Sequence, residues 1–207
     1  ALWKIQDEND LELIVFRDLN ADETILNTCL IDKGFLQVQM PDYNFIKNIQ
    51  QHKTFKDYIA ALSPKSRRHV RKYGVKHEEE FVEVELKKAL PKDVKRIHEL
   101  YNNVKGVNYS VNNFKMPINY FEQLIEDPNF VVWAFYLKEG YSEDSLPIGF
   151  YCATYDKVTS YYYPLFLGVD YDYLHSHAIY RQVLYRIVKH AYEPVSYTHL
   201  TLPTTYG

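Results

Sequence analysis

Residues 147–191 constrain the fold of this chain more than any other segment. Two runs rich in aromatic and β-branched residues, 148–155 and 158–167, are joined across Asp156 and Lys157. Such side chains favour a pleated, half-buried surface, so the pattern predicts a β-hairpin. Apolar residues then recur at helical spacing and predict a helix with one buried face. That face comprises Ile179, Val183, Leu184, Ile187, Val188 and Ala191.

The order of strand, turn and helix carries a chemical implication. The first amides of a helix have no intrahelical acceptor, and the helix dipole places its positive end beside them. Phosphate binds at such a point. The segment between the predicted hairpin and the predicted helix is therefore a candidate phosphate site.

The arrangement at 147–191 resembles the acyl-CoA site of the GNAT superfamily of N-acyltransferases. The likeness is closer to the Fem-like or CelD-type branch, in which a basic helix similar to SPKSRRHVRKYG at 63–74 precedes the acyltransferase core. It extends over residues 54–193. The usual GNAT loop is Arg or Gln, two residues, Gly, one residue, then Gly or Ala, and within 173–178 only Ala178 matches it.

The resemblance implies an α/β (α+β) fold with a GNAT-like mixed, mostly antiparallel sheet flanked by helices. Residues 1–53 would be the tail of a preceding half-domain, 54–80 a basic helical connector, and 81–193 an incomplete acyltransferase core. Residues 194–207 resemble a translated sequencing adapter, and we exclude them from fold reasoning. We expect a chain truncated at both ends, and inactive as this fragment.

The resemblance also implies a co-substrate, acetyl-CoA or another acyl-CoA, and no metal. The backbone of Leu167 and Val169 would bind the pantetheine arm, and a main-chain donor within 161–167 would polarise the thioester carbonyl. The pyrophosphate would lie at the start of the helix. The residues expected there are Leu174, His175, Ser176, His177, Ala178, Ile179 and Tyr180. Without the loop glycines, side chains keep a phosphate further from the backbone of the loop.

His175 and His177 are candidate catalytic residues. A positive helix end disfavours imidazolium, so either ring would be neutral and could act as a base near neutral pH. The alternative is structural, with Ser176 capping the helix and the two rings stacked on neighbouring tyrosines.

Four residues are candidates for contact with the acceptor. Asn112, Asn113 and Phe114 lie in a polar aromatic loop, 107–117, which borders the acceptor in GNAT-like folds. The alternative is a loop held by Asx turns. Tyr162 faces opposite to Tyr161 and Tyr163 on its strand, and it would either line the cleft or pack in the core.

The basic segment 63–76 has two interpretations. Arg67 and Arg71 are four residues apart, share a helix face and could bind one phosphate of CoA, an acidic acceptor or aminoacyl-tRNA. The alternative is a solvated face partly neutralised by the glutamates at 78–80. Three functions therefore stay open: acyl-CoA-dependent N-acyl transfer to a small-molecule or cell-envelope acceptor, Fem-like transfer from aminoacyl-tRNA, and non-catalytic binding.

Composition narrows the partners. The formal net charge of −3 argues against a dedicated DNA-binding protein. Cys29 and Cys152 lie in separate apolar runs and favour free thiols in a reducing compartment, so we expect a cytoplasmic protein with no membrane span. Asp170 and Asp172 have no third ligand nearby, which argues against a metal site.

The remaining pattern predicts further elements. They are a strand at 11–19, a helix at 22–32 capped by Asn20 or Asp22, a strand at 35–40, helices at 55–62, 64–76, 91–106 and 117–127, and strands at 81–86 and 130–137.

Overall fold

A computed structural model describes residues 23–38, 51–107, 115–156 and 161–192, together with residues 14, 16 and 19. The chain divides into two compact units, 1–46 and 47–207. The predicted strand at 11–19 and the tail at 194–207 therefore lie almost wholly outside the described residues.

The described part of the first unit is a short helix, α1, at Thr24–Asp32. Its N-cap is Glu23, which makes no side-chain capping bond, so the predicted caps Asn20 and Asp22 are wrong. Gly34 ends the helix with φ of +87°, a conformation that glycine adopts without a steric penalty.

The segment after α1 differs from its prediction. Residues 35–38, the described part of the predicted strand at 35–40, form no strand. A strand forms only where a second strand accepts its hydrogen bonds, so alternation alone does not produce one.

Two short helices begin the second unit, and their ends follow from local chemistry. Helix α2 spans Phe55–Ala61, and Thr54 Oγ1 accepts a hydrogen bond from the amide of Asp57 at 3.1 Å. Helix α3 spans Pro64–Tyr73 behind a capping serine, Ser63. Thr54 and Ser63 thus provide the side-chain caps of the two helices. The predicted basic helix was too long, because Gly74 ends α3 and a 3-10 helix follows at Val75–Glu80.

The sheet has four strands in the order β1-β2-β3-β4: Phe81–Glu85, Phe130–Leu137, Gly149–Asp156 and Tyr161–Val169. All three pairings are antiparallel. Strand β2 lies between β1 and β3, as its apolar sequence predicted. The α+β class is confirmed, and β4 extends two residues beyond the predicted end at 167.

Helices α4 (Pro91–Val107) and α5 (Ile118–Glu126) cover one face of the sheet. Phe150 and Leu100 are fully buried between these layers, and such side chains each contribute about 1.5–3 kcal/mol to stability. Gly168 allows the close approach of α4, since a Cβ there would lie 2.5 Å from the backbone carbon of Leu100.

Helix α6 (Ile179–Tyr192) packs against the other face of the sheet. Its buried Ile179 and Val183 contact the position of Gly149 on β3, where a Cβ would lie 2.9 Å from Ile179 Cδ1. The end of α3 also packs on α6, because Gln182 Nε2 donates to the carbonyls of Tyr73 and Gly74 at 2.7 and 2.6 Å. The sheet is thus enclosed between helical layers.

Candidate anion and acyl-donor site at the start of α6

The candidate site lies where strand β4 ends and α6 begins. The hairpin of β3 and β4, the turn and the helix follow one another as predicted. A short 3-10 helix at Tyr171–Tyr173 starts the turn. Within the turn, His175 and Ser176 are exposed, whereas Leu174 and His177 are half-buried.

An ion pair from α4 fixes this turn. Arg96 Nη2 lies 2.5 Å from Asp170 Oδ2, and Arg96 Nε donates to the carbonyl of Pro147 at 3.0 Å. Asp170 Oδ1 in turn accepts a hydrogen bond from the amide of Asp172 at 3.0 Å. The Arg96 and Asp170 side chains are 19% and 18% exposed, so water screens this pair less than a surface pair. Asp170 therefore has a structural role in the turn.

Ala178 is the residue immediately before α6, and its φ is +52°. Among the described residues it is the only one other than glycine with a positive φ. The left-handed region is costly for a residue with a Cβ, and such strain is concentrated at functional sites. The carbonyl of Ala178 accepts the first α6 bond, from the amide of Gln182 at 2.9 Å.

The amides of residues 179–181 therefore have no acceptor within α6, since the first amide that donates within the helix is that of Gln182. Ile179 is fully buried, Tyr180 is half-buried and Arg181 is exposed. An anion would reach this end of α6 through Tyr180 and Arg181, and through the exposed residues of the turn. The helix dipole and the Arg181 side chain both favour negative charge here.

His177 is held by a carboxylate. Its Nδ1 lies 2.8 Å from Glu80 Oε2, and Glu80 Oε1 lies 2.9 Å from His77 Nδ1. Burial raises the pKa of Glu80, but the hydrogen bonds from the two histidines outweigh it and the pKa is lowered overall. The Glu80 carboxylate thus fixes the orientation of the His177 ring through its Nδ1 atom. His175 is exposed, and no described residue pairs with it.

The outer edge of β4 has no strand partner among the described residues. The amide of Asp170 donates to the carbonyl of Ile148, just before β3, at 2.8 Å. Because successive residues of a strand direct their N–H and C=O groups to opposite sides, those of Val169 and Leu167 point toward the open edge. Val169 is fully buried, and its carbonyl accepts a hydrogen bond from Asn103 Nδ2 at 3.2 Å. Of the two predicted pantetheine contacts, only Leu167 is therefore accessible on this edge.

A β-bulge interrupts β4. Cys152 pairs with Phe166, but Ala153 pairs with Pro164, which leaves Leu165 without a partner on β3. Leu165 is 45% exposed, and Pro164 has no amide proton. A bulge removes one residue from the ladder and bends the strand, so the backbone near Leu165 can offer a main-chain donor to a ligand.

The predicted anion-binding residues lie on α3, which packs beside α6. Arg71 is exposed and Arg67 is half-buried, and neither forms an ion pair with a described residue. A cavity of about 150 Å³ separates the two helices. It is lined by Phe55, Tyr58, His69, Val70, Tyr73, Gly74, Arg181, Leu184, Tyr185 and Val188. Arg181 of α6 is part of this lining, whereas Arg67 and Arg71 are not.

Of the four candidate acceptor contacts, only Tyr162 lies among the described residues. Asn112, Asn113 and Phe114 lie outside the described residues. Tyr162 is half-buried on the α6 face of the sheet, and its hydroxyl donates to the Tyr151 hydroxyl at 3.0 Å.

Sequence reasoning missed the residues that hold the site together. Glu80 ends the 3-10 helix before β1, and Arg96 and Asn103 lie on α4. All three act through contacts between residues more than 60 positions apart in the chain. The available signal was weak: a charged or amide side chain on an otherwise amphipathic helix, or at the edge of a strand. Only packing shows which of many such side chains turn inward.

No family model matches this chain, and no curated protein matches it either. None of the helices in the described part of the chain combines the length and the apolar character needed to cross a bilayer. Within the same residues, no group of three or more His, Cys, Asp and Glu side chains is placed to hold a metal ion.

Proposed function

We propose that this chain is part of an acyl-CoA-dependent N-acyltransferase of the GNAT type, of the Fem-like branch and located in the cytoplasm. It would use acetyl-CoA or another acyl-CoA and transfer the acyl group to an amine of a small-molecule or cell-envelope acceptor. The observation that carries the proposal is the start of α6 beside the open edge of the bulged strand β4.

The parts of this edge match the parts of the co-substrate in order. The amides and dipole at the start of α6 would hold the pyrophosphate, with Arg181 as a counter-charge. The backbone of Leu167 would bind the pantetheine arm. An amide near the bulge at Leu165 would polarise the thioester carbonyl, and positioning of this kind can lower a barrier by about 7–11 kcal/mol at best.

His177 has a defined place in this proposal. It lies at the pyrophosphate end, whereas the extended pantetheine arm carries the thioester away along β4. We therefore assign His177 to orientation of the anion site, with Glu80 holding its ring. Proton transfer at the reacting carbon is left to groups further along the strand.

Calorimetric titration of this chain with CoA and with acetyl-CoA tests the proposal. Ser176 is exposed in the turn, so substitution there leaves the core intact. Ser176→Asp places a negative charge at the start of α6, and Ser176→Asn is its neutral control of the same shape. We expect Asp to weaken binding by about tenfold, the ratio that corresponds to about 1.4 kcal/mol, and Asn to change it by less than about threefold. No binding of either ligand to the folded chain, or equal affinity in both variants, would contradict the proposal.

A second function, transfer from aminoacyl-tRNA, is favoured by one observation: Arg67 and Arg71 have no carboxylate partner among the described residues. A gel-shift titration with aminoacyl-tRNA separates the two. If tRNA is the donor, Arg67→Glu with Arg71→Glu should abolish the shift, and acetyl-CoA should not bind. If neither ligand binds, a non-catalytic binding module is favoured.

A further inference from the structure

A chain of hydrogen bonds crosses the α6 face of the sheet from β4 to β1. The Tyr162 hydroxyl donates to the Tyr151 hydroxyl at 3.0 Å, and the Tyr151 oxygen lies 2.5 Å from His190 Nδ1. On the other side of the ring, His190 Nε2 lies 2.9 Å from Glu83 Oε2. Four residues from four separate elements are thus linked in series.

The interior residues of this hydrogen-bonded series are shielded from water, whereas Tyr162 at its end is not. Tyr151 is fully buried, His190 is 5% exposed and the Glu83 side chain is 18% exposed. Tyr162 is only half-buried, at the open edge of the sheet. A ligand from solvent can therefore meet the series only at its Tyr162 end or at the margin of Glu83.

The directions of these bonds are consistent with one another. The Glu83 carboxylate accepts from Nε2, which leaves the Nδ1 lone pair of His190 facing Tyr151. Tyr151 then donates to His190 and accepts from Tyr162. The Tyr151 hydroxyl thus receives one hydrogen bond and gives another in the same direction, and the Tyr162 hydroxyl gives one in that direction. This is the arrangement that a proton relay needs.

Three side chains from three strands surround the His190 ring. Glu83 faces the ring from β1, Trp133 stacks on it from β2 with ring centroids 4.3 Å apart, and Tyr151 faces it from β3. His190 also lies in the last turn of α6, where the helix dipole favours a cation. Arg186 of α6 pairs with Glu83 and holds that carboxylate in place.

We propose that the Tyr162 hydroxyl is a proton-accepting catalytic group and that Tyr151, His190 and Glu83 form its relay. The role in acyl transfer rests on the function proposed above. As the acceptor nitrogen forms its bond to the acyl carbon, its proton moves to the Tyr162 oxygen. The Tyr162 proton moves to Tyr151, and the Tyr151 proton moves to His190 Nδ1. The carbon–sulfur bond breaks, the thiolate leaves with the electron pair, and the His190 proton later returns to solvent by the same route.

The position of Tyr162 agrees with this role. Tyr162 lies seven positions before Val169 on β4, so it is roughly 23 Å along the strand from the end beside α6, at about 3.3 Å per residue. The bulge at Leu165 lies between the two ends. Tyr162 is therefore placed beyond the expected thioester, on the side from which an acceptor would approach.

Acetylation by N-acetylimidazole tests the relay without CoA and without a known acceptor. Tyr161 is the internal control, because it is 56% exposed and its ring packs edge-to-face against Tyr163, away from the series. Mass spectrometry of peptides gives the initial rate at each tyrosine, and Tyr162→Phe confirms the assignment. Although Tyr162 is less exposed, we expect it to react at least about tenfold faster than Tyr161. General-base catalysis typically accelerates a reaction by about 100-fold or more, so this expected ratio is modest.

Two variants then interrupt the series. Tyr151→Phe removes one hydroxyl and should reduce the rate at Tyr162 to that of Tyr161, while Tyr161 is unchanged. His190→Gln keeps a side chain able to form hydrogen bonds but removes the base, and it should do the same. A purely structural network would alter the melting temperature and leave the ratio of the two rates as it was.

Equal rates at Tyr161 and Tyr162 in the unaltered chain would overturn the proposal. A ratio that survives either variant would overturn it as well. Because the reagent brings its own acyl group, the result is independent of CoA binding. If CoA does not bind but Tyr162 is acetylated rapidly, the proposed acyltransferase function is contradicted and the relay is supported. If CoA binds but Tyr162 is not acetylated faster than Tyr161, only the relay is contradicted.

Discussion

Gly168→Ala is the substitution with the largest stability effect that the structure lets us work out. Gly168 lies on β4 directly beneath α4. A Cβ built there would lie 2.4 Å from Phe150 Cε1, and 2.5 and 2.6 Å from the backbone carbon and oxygen of Leu100. The Phe150 ring can turn aside, but the backbone of Leu100 moves only if α4 moves.

The magnitude follows from these contacts. Overpacking a well-packed core costs about 1–3 kcal/mol, and contact with helix backbone places this case near the upper value. Replacing glycine also restricts the unfolded chain, which returns about 0.4–1 kcal/mol. We expect a net loss of about 2 kcal/mol in the free energy of unfolding. For a chain of this size that lowers the melting temperature by about 4–8 °C.

Thermal and urea unfolding, followed by circular dichroism, measure the effect. Gly106→Ala is the matched control, because Gly106 lies in α4 and is exposed, and a Cβ added there would meet no atom within 4 Å. Alanine should there raise stability by about 0.5–1 kcal/mol, through helix propensity. If Gly168→Ala were as stable as Gly106→Ala, the close packing of α4 on β4 would be refuted.

Two further predictions concern titrating groups. Glu78 is partly desolvated, which raises its pKa, but hydrogen bonds from Lys189 and Tyr185 lower the pKa overall below 4.5. The stability that Glu78 contributes is therefore present above pH 4.5 and is lost as the pH falls through the lowered pKa. Glu78→Gln should lower the urea midpoint of unfolding at neutral pH and make that midpoint fall less steeply in acid. Glu79→Gln is the control: the Glu79 side chain is 92% exposed, so neither effect is expected. Burial raises the pKa of Cys152 to about 12, so a chromogenic disulfide reagent should titrate only the exposed Cys29 until denaturant is added. Rapid reaction of both thiols in the folded chain would contradict the buried position of Cys152.

Local sequence patterns predicted most of the elements correctly, for physical reasons that act over a few residues. Thr54 and Ser63 cap their helices because a side-chain oxygen can reach an amide three residues on. The apolar stripe of α6 and the uninterrupted run of β2 reflect burial on one face and on two faces. The α+β class and the hairpin before α6 follow from such patterns alone.

Local sequence patterns gave wrong predictions where a segment was compatible with more than one secondary structure. The basic segment at 64–76 has no residue that forbids helix, yet it ends at Gly74. Gly74 packs against Tyr185 of α6, whose Cδ2 lies 2.4 Å from where a Cβ would be, so a side chain does not fit at this end of α3. The alternation at 35–38 likewise predicted a strand, but strand formation depends on a partner that the pattern does not name.

The candidate site depended even more on tertiary structure. The start of α6 and its free amides were foreseeable from sequence, since capping and dipole are properties of one helix. The sequence showed neither the burial of Val169 under Asn103, nor the pairing of His177 with Glu80, nor the bulge at Leu165. Each of these depends on which distant side chain packs at that point.

The amino-acid sequence by itself determined the strand–turn–helix unit, because hydrophobic periodicity, turn residues and capping act within one turn or one strand. The tertiary structure alone decided that Tyr162, Tyr151, His190 and Glu83 lie in series. These residues come from four elements spread over more than 100 positions, and only the packing of α6 across the sheet brings their polar atoms within hydrogen-bonding distance.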